Sequence, residues 1–239
     1  NVMRRKLMSM ALTAAMVISM AATPVFAEDT AADEGFNLNL CIASEPQTID
    51  PALNSAVDGA IMCNHMFEGL VKWVNDGEGN AITAPGQAES WEKTENEDGT
   101  VTYTVKLRDG IKWSDGQDVT AGDFVYAWQR LANPETAADY CYMIDMVQGY
   151  DAVADGSADP STLGITAVDD QTLQIDLTYD CPYFEEIMAF PATFPVRQDM
   201  VEGSDNWTFD PSTYIGNGPY KMTEWSHNAY ISMEKNENY

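Results

Sequence analysis

Positive charge and histidine are scarce in this chain. Twelve lysines and arginines stand against 38 aspartates and glutamates in 239 residues, a formal net charge of −26, and there are two histidines. So acidic a surface repels phosphate backbones and anionic headgroups, which excludes nucleic acid as a partner and argues against adhesion to acidic lipid. Net charge bears on solubility and steering, so it does not by itself demand a cationic ligand. The patterns of catalysis are missing too. No G-x-S-x-G, H-E-x-x-H, C-x-x-C, G-x-G-x-x-G or phosphate loop occurs. His65 lies three residues before Glu68, but without a third ligand it reads as a partly exposed helix residue beside a carboxylate. His227 falls in a Ser226-His227-Asn228 turn and is expected to face solvent. Glu185-Glu186 and Asp169-Asp170 are sequence neighbours, which usually point apart, whereas an acid and a base must bracket a substrate atom. A secreted hydrolase using Glu185 or Asp123 as base is the enzymatic rival, and it lacks a nucleophile and a histidine to complete it. No cofactor or metal is expected.

One long apolar run is present, Leu7 to Ala22. Arg4, Arg5 and Lys6 precede it and Val25-Phe26-Ala27 follows, so residues 1–27 read as a signal peptide cleaved after Ala27, with Met3 as the expected start. The run is short for a permanent span. Leu38-Asn39-Leu40-Cys41 imitates a lipid-attachment site, but Leu40 is too large for its position and Cys41 lies well beyond the apolar core. An exported, unlipidated protein is expected, periplasmic or at the cell surface. Residues 28–35 form an acidic leader, expected to be flexible.

Beyond the leader, Phe36, Leu38, Leu40 and Ile42 alternate with polar residues and predict a half-buried strand. Ile61, Met62, Met66, Leu70 and Val74 predict a helix over 60–73. Asn75–Asn80 is a turn, since it lacks the alternating ligands and distal glutamate of a calcium loop. Val101, Tyr103, Val105 and Leu107 mark a strand. Short helices are expected over 139–147, 150–154, 183–188 and 198–202. A strand–turn–strand unit is expected over 165–177, and a last strand pair over 218–225 and 230–235. The mixture is α/β without strict βαβ repetition. Trp73, Trp91, Trp113, Trp128, Trp207 and Trp225 read as core anchors rather than ligand platforms.

The densest pattern is Leu107–Arg130, LRDGIKWSDGQDVTAGDFVYAWQR. Asp109-Gly110 and Asp115-Gly116 are turn pairs. Thr120 and Asp123 approximate a capping box, and Phe124, Val125, Trp128 and Leu131 follow at helical spacing. This run resembles the LR-x-G-x-x-W-S-D-G-x-x-V-T-A-x-D-F-V-Y-x-W-x-R signature of the oligopeptide-binding proteins of ABC importers, extracellular solute-binding protein family 5. Five further words agree in order: Glu45–Pro51 (EPQTIDP), Phe67–Leu70 (FEGL), Ala88–Trp91 (AESW), Gly216–Tyr220 (GNGPY) followed by Trp225, and Lys235–Tyr239 (KNENY).

The resemblance implies a type II periplasmic-binding-protein-like fold with mixed sheets. Its first-lobe core would come from 36–67 and 198–239, and an inserted subdomain from 68–197. Family members continue past the K-N-x-x-Y word into a second lobe, which carries half of the ligand cleft and lies outside this sequence. The resemblance further implies that the chain captures oligopeptides and delivers them to an ABC transporter permease, as a monomer and without catalysis; a dipeptide, nickel chelate or sugar is the alternative ligand. By register the ligand-binding residues are Ser55, Ala56 and Val57, through their backbone, and Tyr140, which follows Asn133-Pro134-Glu135-Thr136-Ala137. Four cysteines in an exported protein invite disulfides, with three pairings possible. Cys41–Cys63 and Cys141–Cys181 are the expected pairs, against free buried thiols.

Overall fold

The computed structural model describes residues 36–239. The signal peptide, its cleavage site and the acidic leader lie outside the described residues. Two compact units are distinguished, one ending at Cys41 and one spanning Ile42–Tyr239. In the first, Phe36–Cys41 forms no strand, and Phe36, Leu38 and Leu40 are exposed. Alternation announces a face to bury, whereas a strand exists only where its backbone forms a ladder with another strand.

The second unit opens with α1 (Val57–Met66) and β1 (Val71–Asn75). The helix expected over 60–73 is therefore split. Phe67 turns extended, with φ −129° and ψ 160°. Gly69 packs so closely that a Cβ there would stand 2.7 Å from the Met188 carbonyl oxygen. The Gly69 carbonyl accepts the Gln87 N–H, and Leu70 accepts both Gly86 and Ala88. Tertiary pairing outbids the helical periodicity of Leu70 and Val74. β1 pairs antiparallel with β2 (Ala81–Pro85) across the expected turn, where Asp76 accepts the N–H groups of Glu78 and Asn80.

A four-stranded antiparallel sheet follows, from β3 (Ala88–Glu95), β4 (Val101–Leu107), β5 (Ile165–Asp169) and β6 (Thr172–Leu177), in the order β3-β4-β6-β5. β2 and β3 escape a pattern reading because neither alternates; ESWEKTE is exposed or half-buried on both faces. β4 is central and alternates cleanly, burying Val101, Tyr103, Val105 and Leu107. Between β4 and β5, α2 (Ala121–Ala132) buries Phe124, Trp128 and Leu131. It starts as expected: the Asp123 carboxylate accepts the Thr120 N–H at 2.8 Å and the Thr120 hydroxyl at 3.1 Å. Trp128 donates its indole N–H to the Thr193 carbonyl at 2.9 Å and meets Phe184 edge-on. Short helices α3 (Tyr150–Ala154), α4 (Phe184–Ile187) and α5 (Gln198–Gly203) and the hairpin β7 (Tyr220–Ser226)–β8 (Tyr230–Lys235) complete the unit. One hydrophobic cluster runs from Ile49 to Trp225 and takes in Trp113, Trp128, Trp207 and Trp225; Trp91 packs against it, and Trp73 is half exposed.

Candidate functional site

The polar residues inside the recognisable words find one another. Asp50 is 2 % exposed and receives Arg130 in a two-pronged ion pair, at 2.9 and 2.5 Å. A fork of this kind fixes orientation as well as charge. Glu45 accepts the Trp225 indole at 2.9 Å and lies 3.0 Å from His227 Nδ1, whose ring stacks on Trp225. His227 sits in the expected turn and is exposed, and it also tethers that turn to the first word.

Glu68 is the hub. It is 5 % exposed; its Oε1 accepts Lys72 at 2.8 Å and the Tyr239 hydroxyl at 2.7 Å, and its Oε2 accepts Gln87 at 2.6 Å and Arg108 at 3.0 Å. Its own backbone N–H and carbonyl are held by the Asn217 side chain at 3.0 and 2.9 Å. Asn217 reaches them because its flanking glycines lie flat on the end of α1: a Cβ on Gly216 would fall 1.9 Å from the Met66 carbonyl oxygen. The LR of the long signature and KNENY therefore converge on the carboxylate of FEGL, and GNGPY on the backbone of the same residue. Gln87 Oε1 and Arg108 Nε lack partners among the described residues and border a cleft shared with Asn217, Asn238 and Tyr239. The His65–Glu68 pairing expected on one helix face does not exist: His65 Nδ1 lies 2.7 Å from the Ile61 carbonyl, and Glu68 stands beyond the helix end.

The carboxylates considered for hydrolysis are occupied as well. Asp123 caps α2; burial pushes its carboxyl above the ordinary range, against the Thr120 bonds. Glu185 accepts the Trp91 indole at 2.9 Å. Among the described residues no cluster of three or more His, Cys, Asp or Glu could hold a metal ion.

The structure forms neither expected disulfide; all four cysteines are free. The buried thiols have other work. Cys63 donates to the Ile49 carbonyl at 3.3 Å, and burial pushes its thiol far up, so it stays protonated. Cys141 bonds the Tyr150 hydroxyl and Cys181 bonds the Tyr183 hydroxyl. Cys41 is exposed within its own unit.

Ser55, Ala56 and Val57 are all exposed, Val57 at 79 %. Asp50 builds their platform: its carboxylate accepts the Ala52 N–H and its carbonyl accepts those of Leu53 and Asn54. The Asn54 side chain then pairs with the backbone of Ala56 in both directions, at 3.0 and 3.3 Å, and the Ala56 carbonyl also accepts Ala60 N–H. Ala56 is closed to an outside strand. The N–H and carbonyl of Ser55 have no internal partner among the described residues. Tyr140 is placed by the NPETA turn. Asn133 accepts the Glu135 N–H, Ala137 takes a left-handed φ of 54°, and Tyr140 opens a 3-10 turn over Cys141–Ile144. Its ring meets Phe190 edge-on at 5.3 Å and Tyr142 at 6.1 Å. No hydrogen bond or ring contact joins Ser55–Val57 to Tyr140.

Residues 83–239 match the family model described as bacterial extracellular solute-binding proteins, family 5 Middle. The chain is 36% identical over 204 residues to the oligopeptide-binding protein OppA of Bacillus subtilis, covering 84% of this chain and 36% of that protein. It is 38% identical over 199 residues to the periplasmic oligopeptide-binding protein OppA of Escherichia coli, covering 82% and 35%. Among solved structures it resembles Haemophilus influenzae OppA in complex with RPPGFSPFR, with a TM-score of 0.75, 37% identity, and coverage of 83% of this chain and 38% of that one. The chain thus spans little more than a third of the length of the relatives it matches. It is a member of the bacterial extracellular solute-binding proteins of family 5.

Proposed function

We propose that the protein to which this chain belongs is an extracytoplasmic solute-binding protein, periplasmic or at the cell surface, that captures oligopeptides and delivers them to an ABC transporter permease. The observation that carries this reading is the agreement with two oligopeptide-binding proteins and a peptide complex over more than four fifths of the chain. Residues 36–67 and 198–239 would form the first-lobe core and 68–197 the inserted subdomain. A second lobe would close over the ligand by a hinge, and the closed form would dock on the permease. The protein would act as a monomer, without a cofactor and without turning over its ligand.

The described surface supports a peptide in one respect. Ser55 offers an unpaired N–H and carbonyl among the described residues, at an exposed position beside the extended backbone of Ala56, and such groups can pair with a peptide backbone irrespective of side chain. Each bond nets only about 1 kcal/mol, so tight binding requires several of them and desolvation on closure. Calorimetric titration of the full-length protein with a peptide library, a dipeptide set, nickel and sugars tests the reading. Micromolar or tighter binding of oligopeptides is expected; binding confined to a non-peptide would overturn it.

A further inference from the structure

We infer that the rings of Phe190, Tyr140 and Tyr142 form a ladder that selects peptides carrying a cationic side chain, arginine best, laid on the outer ring of Tyr142. The inference rests on the proposal that Tyr140 faces the ligand. Phe190 and Tyr140 are half-buried and pack edge-on, at an interplanar angle of 88°, so their positions are fixed. Tyr142 leans on Tyr140 at 61° and is 55 % exposed. Neither tyrosine hydroxyl has a hydrogen-bond partner among the described residues. Tyr142 is held at its root, where its carbonyl accepts the Asp145 N–H at 3.1 Å and closes the 3-10 turn. A rigid, uncovered aromatic face beside a peptide contact invites a flat guest.

Charge decides which guest. All nine lysines and arginines in 36–239 are already in ion pairs with carboxylates. Asp139 and Asp145, which bracket the two tyrosines in sequence, are exposed and in no ion pair among the described residues, and Asp145 accepts the Tyr179 hydroxyl. The negative face of a tyrosine ring attracts a cation, and a guanidinium can lie flat on it while its N–H groups reach carboxylates. An aromatic guest would gain the stacking and leave the charge unused; an acidic guest would be repelled.

The test is titration of the full-length protein with pentapeptides identical except for one residue scanned through each position as arginine, citrulline or glutamate. Citrulline keeps the planar shape of arginine and removes its charge. At one position arginine should bind roughly tenfold more tightly than citrulline, with glutamate weakest. Tyr142→Leu should erase most of that ratio, while Tyr142→Phe, which keeps the ring, should preserve it. Asp145→Asn should reduce it and make it less sensitive to salt. Peptides that bind well but show equal arginine and citrulline affinities everywhere, or a ratio untouched by Tyr142→Leu, would overturn the ladder and leave peptide capture standing. Failure of every peptide to bind would remove the reading beneath it.

Discussion

The Glu68 hub and the Ser55–Tyr140 surface differ in almost every physical respect. Around Glu68, side chains from positions 72, 87, 108 and 239 meet one buried carboxylate while Asn217 holds the backbone of the same residue, and most of their donors are satisfied among the described residues. At Ser55–Val57 and Tyr142 the groups are exposed, and the backbone of Ser55 and the hydroxyls of Tyr140 and Tyr142 are unpartnered among the described residues. Words that identify a family are therefore couplings between distant segments, which tolerate little change. A ligand surface of the kind proposed would be assembled from leftover capacity, which a family can vary to change its ligands.

The sharpest way to break that contrast is Asp50→Ala. It strands the Arg130 guanidinium, whose side chain is 14% exposed, with no other carboxylate among the described residues paired to it. Loss of one partner from a buried pair costs about 3–5 kcal/mol. It should also loosen the 50–54 turn that carries Ser55, so urea unfolding should shift strongly and peptide affinity should fall. A stability loss below about 1 kcal/mol would show that the couplings are dispensable. Glu68→Ala ranks second despite its larger number of bonds. Lys72 and Arg108 are 37% and 41% exposed and can turn to water. Tyr239, at 52%, can do the same. What is left unsatisfied is chiefly the Gln87 amide, about 1–3 kcal/mol by the usual cost of a buried unsatisfied donor.

Much of the contrast was hidden in the sequence for a physical reason. Elements whose pattern is local were legible: β4, the β5–β6 unit, α2 with its Thr120–Asp123 start, and the β7–β8 pair. The segment 60–73 misled because its apolar spacing suits a helix, while Gly69 and Leu70 are claimed by distant backbone partners. The strand expected at 36–42 failed because alternation announces a face to bury and says nothing of who will pair with it. Spacing also cannot tell that the thiols of Cys63, Cys141 and Cys181 each have an oxygen to bond. The hub was missed although its signal was present. Glu45, Asp50, Glu68, Arg108, Arg130 and Asn217 are the polar members of otherwise apolar or turn-forming words, and polar residues within such words need partners.

Ser55→Pro sharpens the comparison from the other side. It deletes an N–H that no described residue uses, at an exposed position, so folding stability should move by no more than about 0.5 kcal/mol. Peptide affinity should drop about fivefold, the worth of one net hydrogen bond near 1 kcal/mol. Titration of the same pentapeptides against wild type and variant measures it. Equal affinities would remove Ser55 from the ligand edge and leave Tyr140 as its nearest candidate.

The smallest effect separates exposure from satisfaction, which the two regions confound. Asp76, Asp98, Asp155, Asp159 and Asp210 are exposed, yet each is held below the ordinary carboxylate range by a local side-chain donor, Asn80, Thr100, Ser157, Ser161 or Ser212, and then by backbone N–H groups. Asp169 follows, with the Gln171 N–H first and Thr172 second. Their folded values lie below the unfolded one of about 3.9, so in that window the unfolded chain binds more protons. The stability they contribute is complete above pH 4 or so and is lost as pH falls through the folded values. Replacing all six by asparagine keeps an acceptor oxygen for each turn and removes the titration. The urea midpoint at pH 7 should hardly move, and its decline in acid should be shallower than in wild type. Parallel acid limbs would mean that exposed bonds of this kind carry no measurable weight. The contrast between hub and ligand edge would then come down to burial alone, with partnership adding nothing where water can compete.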